Sequence, residues 1–459
     1  MGLRLNAPRA AAIVLSVGLL ATAVFATRGA ATPAFCTDYF PAVGSGGGVY
    51  LVVWERICDG NSDLYGVRVS EAGQVLDETA MEISRGVAGQ QYPSVAFDGA
   101  NFLVTWMDGR ASRLESNLDI YGTRVTPAGE VLDPDGLPIA VGAGDQWTPS
   151  TVFTGQSYLA AFPNGGNSIS AQRVSTSGSA VGSDIPVSGV PGGSPATAFD
   201  GANSLVVWTD ARGALYEWDI YGARVTQAGD VLDRSGIPIS TAPGIQESPT
   251  LAFDGANYLA AWDDFRGGVY GSRVNRGGKV FDPAGVLLAR GSVPAVAFGG
   301  TSYLLVWNKN PPDGAPDVYG TRIAPSGAVL DPDGFPIAAR AGWQWVPELA
   351  YGGANYLVIW MEDNAVHGTR VSRDGAVLDP GGFLISRPTP AIPVCRVPRV
   401  VGSSLSRARA RLRLSVCTVG RVRRVVGRRG KVLAQRPAPG AVLPAWSGVR
   451  LVVGKGRRR

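Results

Sequence analysis

The sequence lacks most of the residues that common catalytic and metal sites require. Among its 459 residues the only histidine is His367. This scarcity argues against a serine–histidine triad and against histidine-based zinc sites. No phosphate-binding P-loop pattern occurs either. The sequence therefore shows no recognisable catalytic constellation, and it predicts neither a cofactor nor a metal site.

Long apolar runs are also missing, with one exception at the N-terminus. Arg4 and Arg9 precede an apolar run over residues 10–25, which ends beside Ala26. These features predict a signal peptide over residues 1–26: the start is basic, the apolar run is shorter than the ~20 residues of a membrane span, and a small residue stands at its end. We therefore expect a secreted or envelope protein with no transmembrane span after signal removal. An uncleaved anchor is the alternative.

Cysteines are few, and their spacing does not suit a metal. The four cysteines form two local pairs, Cys36 with Cys58 and Cys395 with Cys417. No Cys-x-x-Cys motif is present, so metal ligation is a poor interpretation. Export favours two disulfides, each contributing on the order of 3 kcal/mol if it is unstrained.

Acidic residues are absent from the last part of the chain. Residues 394–459 include 16 Arg and 2 Lys but no Asp or Glu, which gives this segment a charge of +18. The rest of the chain holds the other 24 basic residues and all 37 acidic ones, a net charge of −13. An acidic body therefore precedes a strongly basic C-terminal domain.

One motif, in contrast, is abundant. "DIYGTRV" at Asp119–Val125 recurs with variations, and its arginine returns at steps of 48 to 56 residues. The seven aligned arginines are Arg68, Arg124, Arg173, Arg224, Arg273, Arg322 and Arg370. Each copy carries four short β-type segments, typically with an Asp-Gly hairpin turn after the first. An N-terminal segment at 27–40 and seven such units over 41–386 predict an all-β, seven-bladed β-propeller, with a β-solenoid or sandwich array as the alternative.

The repeated motif is expected to serve the scaffold. Its tyrosine would pack on a blade face, its glycine would allow close approach of a neighbouring backbone, and its arginine could pair with a carboxylate between blades. With the preceding "AFDG" and "YLV.W" segments, the layout resembles the TolB-type WD40-like propeller repeat. The resemblance implies a propeller but not a particular ligand.

Candidate ligand residues lie in the variable connections, from second to third strand and from blade to blade. A glutamine recurs three residues before the first-strand proline in four copies, with aromatic residues close to three of them. Amides beside flat rings suit sugar or peptide binding, although capping of buried strand ends is an equal alternative. The predicted ligand residues are Gln90, Tyr92, Gln146, Trp147, Trp218, Gln246, Trp343, Gln344 and Trp345.

The same connections contain acidic groups. Asp108, Asp210 and Asp264 each stand two residues before an arginine, and we interpret these pairs as surface ion pairs. A glycosidase or lyase working through loop carboxylates such as Asp263 or Asp264 is the alternative function. The "DPDG" segments, for example at 133–136, predict turns rather than calcium loops.

A separate small domain follows the proline-rich linker at 387–393. Ser404 can cap a helix that has Leu405, Ala408 and Leu412 on its apolar face. Strand-like segments follow the helix, and basic residues 457–459 end the chain.

Three segments of this domain, at residues 394–456, carry a resemblance. "VPRVVGSSLSRARARL" (397–412), "VLAQRPAPGAVL" (432–443) and "VRLVVGKG" (449–456) together resemble a PASTA domain, a small α+β module. The resemblance implies association with peptidoglycan or its precursors. The arginine content makes plain attraction to an anionic envelope polymer the alternative.

The sequence therefore predicts a secreted binding protein of the bacterial cell envelope. The PASTA-like domain would associate with peptidoglycan or an anionic envelope polymer, while the propeller would present a face for a glycan or a protein. A non-catalytic scaffold for protein partners is a further alternative. We expect no nucleic-acid partner.

Overall fold

The computed structural model describes residues 36–455 except 59, 87, 111–116, 166–167, 214–216, 311–313, 388–393, 398, 416, 427–429, 438–441 and 445–447. The chain divides into two compact units, which we call the body (including Thr37–Pro388) and the tail unit (including Thr389–Arg459). The predicted signal peptide, most of the predicted linker and residues 457–459 lie outside the described residues. No helix in the described part of the chain is long and apolar enough to cross a membrane.

The described residues of the body form seven four-stranded antiparallel sheets, each built from four consecutive strands. Sheet 1 contains β1 (Thr37–Gly46), β2 (Val49–Cys58), β3 (Asn61–Ser70) and β4 (Met81–Ser84). Sheet 2 contains β5 (Gln90–Phe97), β6 (Phe102–Asp108), β7 (Asp119–Val125) and β8 (Leu137–Ala140). Sheet 3 contains β9 (Ser150–Phe153), β10 (Ser157–Asn164), β11 (Ser168–Ser175) and β12 (Ala180–Pro186).

The remaining four sheets repeat the pattern. Sheet 4 contains β13 (Gly192–Phe199), β14 (Asn203–Asp210), β15 (Asp219–Thr226) and β16 (Ile237–Ser240). Sheet 5 contains β17 (Gln246–Phe253), β18 (Asn257–Asp264), β19 (Gly268–Asn275) and β20 (Val286–Ala289). Sheet 6 contains β21 (Ser292–Phe298), β22 (Tyr303–Lys309), β23 (Asp317–Ile323) and β24 (Phe335–Ala338). Sheet 7 contains β25 (Trp345–Tyr351), β26 (Asn355–Glu362), β27 (Ala365–Ser372) and β28 (Phe383–Leu384).

The sheets follow one another around a ring. The first strand of each sheet packs against the first strands of its neighbours, and β25 of sheet 7 packs against β1 of sheet 1. Hydrogen bonds also join the last and first sheets: for example, Ser45 Oγ donates to the Tyr351 carbonyl at 2.6 Å, and the Tyr50 hydroxyl donates to the Asn355 carbonyl at 2.7 Å. The first strands therefore line the centre of the ring.

The meander order defines two ends of the ring. Turns from first to second and from third to fourth strand lie at one end, which we call the hairpin face. Connections from second to third strand and from sheet to sheet lie at the other end, which we call the loop face. At the hairpin turn of sheet 2, Asp98 Oδ1 accepts the N–H groups of Ala100 and Asn101 at 2.7 Å each, and Gly99 has φ +99°. This is the local reason why Asp-Gly recurs at that turn.

The core lies between neighbouring sheets. The second strands are apolar on both sides because each is covered by a sheet on either face; in sheet 7 every residue from Tyr356 to Trp360 is buried. Six tryptophans lie in the later half of second strands, and all of them are buried in these interfaces. They are Trp54, Trp106, Trp208, Trp262, Trp307 and Trp360.

The tail unit has its own core. The helix α1 (Leu405–Leu414) packs on a three-stranded sheet of β30 (Thr418–Val425), β31 (Val432–Arg436) and β33 (Gly448–Gly454), while β29 (Val394–Arg396) pairs with β32 (Val442–Pro444). Ser404 Oγ accepts the Arg407 N–H at 3.3 Å, which confirms Ser404 as the helix N-cap. Ala408 and Leu412 are fully buried against the sheet.

One of the two predicted disulfides is shown. Cys36, directly before β1, and Cys58, at the end of β2, are disulfide-bonded to each other. Cys417 is disulfide-bonded as well, whereas the side chain of its predicted partner Cys395 lies outside what the structure describes.

Candidate functional site

Each first strand has the same backbone irregularity on the loop face. The residue directly before the first-strand proline has φ between +33° and +54°, a left-handed conformation that is rare for residues other than glycine. The seven residues are Phe40, Tyr92, Thr148, Ser194, Ser248, Val293 and Val346. Because the first strands line the centre of the ring, these residues surround its opening on the loop face. We call this opening the mouth.

Side chains of the preceding sheet hold several of these residues in place. Thr209 Oγ1 accepts the Ser248 N–H at 3.2 Å, and Asn308 Oδ1 accepts the Val346 N–H at 3.1 Å. Asp263 accepts the Val293 N–H with both carboxylate oxygens, at 2.8 and 3.0 Å. The strained backbone is thus part of the contact between successive sheets, and its cost is offset there.

The four predicted glutamines lie beneath the mouth and are almost completely buried. Gln146 Nε2 donates to the Gly144 carbonyl at 2.9 Å, Gln246 Nε2 donates to the Ala242 and Gly244 carbonyls, and Gln90 Nε2 donates to the Ala88 carbonyl. Their burial and these bonds fit the strand-capping interpretation. One amide atom of each glutamine nevertheless has no hydrogen-bond partner among the described residues. These atoms are Gln90 Oε1, Gln146 Oε1, Gln246 Oε1 and Gln344 Nε2.

Four aromatic side chains form a continuous row at the mouth, across sheets 7, 1 and 2. Trp345 meets Tyr39 edge-to-face with ring centroids 6.3 Å apart, Tyr39 lies 6.3 Å from Phe40, and Phe40 lies 4.7 Å from Tyr92. We call these four residues the aromatic row. The structure thus brings the predicted residues Tyr92 and Trp345 together through Tyr39 and Phe40. Sequence reasoning missed these two, although their spacing from Pro41 matches that of Gln91 and Tyr92 from Pro93.

The other predicted tryptophans lie apart from the row. Trp343 is 64% exposed. Trp147 is half-buried, and its indole Nε1 is buried with no hydrogen-bond partner in the part of the chain that the structure describes. Trp218 is half-buried, and its carbonyl accepts the Gln246 N–H at 2.8 Å. No ring contact connects these three residues to the row in the described part of the chain.

A buried carboxyl group, Glu55, stands beside the row. Glu55 is 1% exposed, and its Oε1 accepts from Gln91 Nε2 at 3.1 Å. Burial raises the pKa of Glu55 to about 7. Burial and the Glu55 charge together raise the pKa of Tyr92 to about 12. Near neutral pH, Glu55 can therefore either donate or accept a hydrogen bond at the mouth.

Three further carboxyls lie on first and second strands, two of them in sheet 5 and one in sheet 7. Glu247 and Asp263 are direct partners across β17 and β18. Burial raises the pKa of Asp263 to about 7, and the charge of Glu247 adds to this rise; burial also raises the pKa of Glu247. On β25, burial raises the pKa of Glu348 to about 7, and this side chain has no hydrogen-bond or ion-pair partner among the described residues.

The Asp-x-Arg pairs are not surface ion pairs, contrary to the sequence-based interpretation. Asp108 is fully buried, accepts the Trp106 indole N–H at 2.8 Å and binds Arg110 through both oxygens, at 2.7 and 2.9 Å. Arg110 in turn stacks on Tyr121, 4.0 Å from the ring centroid. Sheets 4 and 5 repeat this cluster. There it consists of Trp208, Asp210, Arg212 and Tyr221, and of Trp262, Asp264, Arg266 and Tyr270. These carboxylates are committed to packing and are poor candidates for catalysis.

The repeat arginines also pair differently from the prediction. Arg124 binds Asp133, nine residues later in the same sheet, through two hydrogen bonds of 2.9 Å, and does not pair with a carboxylate of another sheet. The same spacing pairs five further arginines. These pairs are Arg68–Asp77, Arg224–Asp233, Arg273–Asp282, Arg322–Asp331 and Arg370–Asp379. The first aspartate of each "DPDG" segment thus binds an arginine, which supports the turn interpretation over a calcium loop.

A cavity lies at the opposite end of the ring centre. It has a volume of about 390 Å³ and is lined by the hairpin halves of first strands, including Val43, Val95, Phe97, Val152 and Phe153. None of its lining residues is a predicted ligand residue. The mouth and this cavity are therefore separate features.

No family model and no curated protein sequence matches this chain. Solved structures do match. The BP39L lectin from Burkholderia pseudomallei superposes with a TM-score of 0.57 at 15% identity, over 77% of this chain and 100% of its own. A putative 6-phosphogluconolactonase from Bacteroides fragilis has a TM-score of 0.50 at 14% identity, over 78% of this chain and 96% of its own. Likeness at this level of identity concerns the fold alone: the chain is an all-β protein of repeated four-stranded sheets with propeller-like neighbours.

Proposed function

We propose that this chain is a secreted, non-catalytic binding protein of the bacterial cell envelope, in which a seven-bladed propeller binds a glycan at the mouth. The observation that carries the proposal is the aromatic row with Glu55 and Gln91 beside it. Aromatic rings stack on the apolar faces of sugars. Gln91, which is half-buried beside the row, carries an amide that can bond a sugar hydroxyl.

The fold is compatible with this role. The matching BP39L structure is a lectin, which supports no more than the ability of such a fold to present a glycan site. The body supplies a rigid frame, because buried tryptophans pack between its sheets and ion pairs fix the connections within each sheet. A site on rigid strands pays little ordering entropy on binding.

The test is titration of the mature protein with soluble peptidoglycan fragments and with a panel of neutral oligosaccharides, followed by tryptophan fluorescence and calorimetry. Tyr92→Ala removes one end of the row, a half-buried side chain. We expect it to weaken binding about tenfold, equivalent to about 1.4 kcal/mol, as for an interface aromatic. Phe265→Ala is the control, because Phe265 is an aromatic side chain of a loop-face connection that lies outside the row.

An equal loss of glycan affinity in both variants, or an unchanged affinity in Tyr92→Ala, would show that the row is not part of the glycan site. Capture of protein partners with no glycan affinity would favour the scaffold alternative. Either result can be distinguished from misfolding, because the near-ultraviolet spectrum of the buried tryptophans reports the fold of the body.

For the tail unit we propose a PASTA-like domain that holds the protein at peptidoglycan or an anionic envelope polymer. The helix-on-sheet core and the capped helix support a PASTA-like arrangement. Co-sedimentation of the mature protein with purified peptidoglycan at low salt and at ~0.5 M salt tests it, because screening at high salt removes plain charge attraction. Binding that survives high salt would support wall-specific anchoring, and binding that vanishes would leave only charge attraction.

A glycosidase is the second candidate, and one specific observation favours it. Asp263 and Glu247 are cross-strand partners near the mouth, and both have raised pKa values. One such group could act as the general acid and the other as the base or nucleophile. Release of reducing sugar that is abolished in Asp263→Asn but retained in Asp264→Asn would establish this activity, because Asp264 is bound to Arg266.

A further inference from the structure

One face of the tail-unit sheet carries exposed arginines in the described part of the unit. Val449, Leu451 and Val453 of β33 are buried against α1. Because successive side chains of a strand point to opposite faces, Arg450 and Val452 point away from the helix. The outer face of the sheet is therefore the face that carries Arg450.

The neighbouring strands place three more arginines on this outer face. Arg436 of β31 is the direct partner of Arg450. On β30, Arg423 is the partner of Val452, and Arg421 lies in the irregular stretch between the Val419–Val449 and Val422–Leu451 pairs. Arg421, Arg423, Arg436 and Arg450 are all exposed. We call these four residues the arginine face.

This arrangement costs stability and gains nothing within the unit. Like charges directly opposite each other across a sheet are destabilising, and Arg436 and Arg450 are such a pair. No acidic residue exists anywhere from 389 to 459 to compensate them. In the described residues every salt bridge belongs to the body. A bound anion would relieve the repulsion.

We infer that the arginine face binds a linear phosphodiester polymer of the cell envelope. The inference rests on the proposed envelope location and names the ligand class of the tail unit. Residues two apart on one strand are separated by about 6.6 Å and neighbouring strands by about 4.8 Å, so the four guanidinium groups start from closely spaced backbone positions. Such a density suits a polymer with one anionic phosphate in every short repeat, and the planar guanidinium fork binds phosphate oxygens in pairs. Glycans with sparser carboxylates would engage fewer of these arginines at once.

The test compares two variants of the mature protein that lose the same charge. The first replaces the arginine face (R421Q/R423Q/R436Q/R450Q), and the second replaces four exposed charges outside it (R399Q/R407Q/R409Q/K455Q). Binding to purified poly(glycerol phosphate), to a uronic-acid polymer and to single-stranded DNA is measured over a range of salt concentrations. The arginine-face variant should lose at least tenfold in affinity for poly(glycerol phosphate). The plot of log affinity against log salt concentration should also become less steep for this variant. The slope should fall in magnitude by about 3, because each of the four lost phosphate contacts contributes about 0.7.

The control variant should keep most of its affinity and of its salt slope. Equal losses in the two variants would overturn the inference, because diffuse charge would then explain all binding. Equal or tighter binding of the uronic-acid polymer or of single-stranded DNA would also overturn it. Glycan binding at the mouth is measured on the same variants and should not change, so failure of the arginine face and failure of the proposed propeller function give different results.

Discussion

The arginines of the body and those of the tail unit occupy opposite environments. In the body, six of the seven repeat arginines bind an aspartate nine residues later in the same sheet, and both partners are largely buried. In the tail unit, the described arginine side chains of the sheet and helix are exposed and no acidic partner exists. The same residue type therefore stabilises the scaffold in one unit and is available for a ligand in the other. The presence or absence of an aspartate in the local sequence decides between the two roles.

The strongest way to test the body side of this comparison is to remove a buried carboxylate. Asp108→Ala leaves the Trp106 indole N–H without its acceptor and Arg110 without its counter-charge. Breaking a buried pair by removing one partner typically costs 3–5 kcal/mol. Because Arg110 is 30% exposed and can regain water, we expect a loss of about 3 kcal/mol in urea unfolding.

The control for this change is the equivalent position of sheet 3. Asn164 there follows Phe162 instead of a tryptophan, and makes hydrogen bonds of 3.3 Å with Gln146 and Ser170. Asn164→Ala should cost only about 1 kcal/mol, as for neutral hydrogen bonds. Equal losses at the two positions would show that the buried ion pair adds nothing beyond a neutral contact.

The pH dependence of stability should also differ between the units. The pKa values of Glu55, Asp263 and Glu348 are raised to about 7 by burial. A carboxyl with a raised pKa in the folded state holds its proton when the unfolded chain has already released it. The body should therefore lose stability as the pH rises from about 4.5 to above 7, by roughly 2–3 kcal/mol for the fully buried Glu55.

Hydrogen exchange of the whole protein at pH 5 and pH 8, corrected for the intrinsic exchange rate, measures this difference region by region. The tail unit has no Asp, Glu or His, so its protection should stay constant. Glu55→Gln should remove part of the pH slope of the body. A body that becomes more stable from pH 5 to pH 8 would contradict the raised pKa values.

The carboxyls with lowered pKa values, such as Asp331 and Asp379, contribute stability that is lost only as the pH falls below about 4.

A smaller effect is expected at the repeat arginines. Arg124→Ala removes a two-bond ion pair that is about one-fifth exposed, and we expect a loss of about 1–2 kcal/mol. Sheet 3 provides the matched control, because the residue nine positions after Arg173 is Gly182 and no carboxylate pairs with this arginine. Among the described residues, the Arg173 side chain donates only to the Gln227 carbonyl, at 3.2 Å. Arg173→Ala should therefore cost less, and equal losses would assign the effect to packing of the arginine stem.

The sequence predicted the repeated four-strand pattern well because strand periodicity and Asp-Gly turns are local signals. It did not predict the left-handed residues before the prolines. Val293 and Val346 are β-branched and disfavour positive φ; their conformation is imposed by Asp263 and Asn308 of the preceding sheets. Local preference cannot reveal a constraint that arises only when two sheets meet.

The candidate site was predicted in part for a similar reason. Tyr92 and Trp345 were found from their place in variable connections, whereas Tyr39 and Phe40 were missed because they precede the first recognisable repeat. Burial of Asp108 was missed because an Asp-x-Arg pattern alone does not show that a tryptophan indole covers the carboxylate. In contrast, the Arg124–Asp133 pairing could have been found in the sequence, since an aspartate follows the repeat arginine by nine residues in six copies.

The smallest predicted effect tests the tail side of the comparison most sharply. Arg436→Glu places a carboxylate directly opposite Arg450 and replaces a like-charge pair with an opposite-charge pair. We expect the tail unit to become more stable by about 0.2–1 kcal/mol, the usual range for a cross-strand pair, while its affinity for poly(glycerol phosphate) falls. Regional hydrogen exchange measures the first effect and a binding titration the second. Arg409→Glu on the exposed side of α1 is the control. A comparable gain in stability there would mean that the gain comes from the lower net charge of the unit and not from the Arg436–Arg450 contact. A variant that is both less stable and weaker in binding would show that Arg436 supports the fold. In that case Arg436 would resemble the arginines that stabilise the body, and the contrast between the two units would not apply to this position.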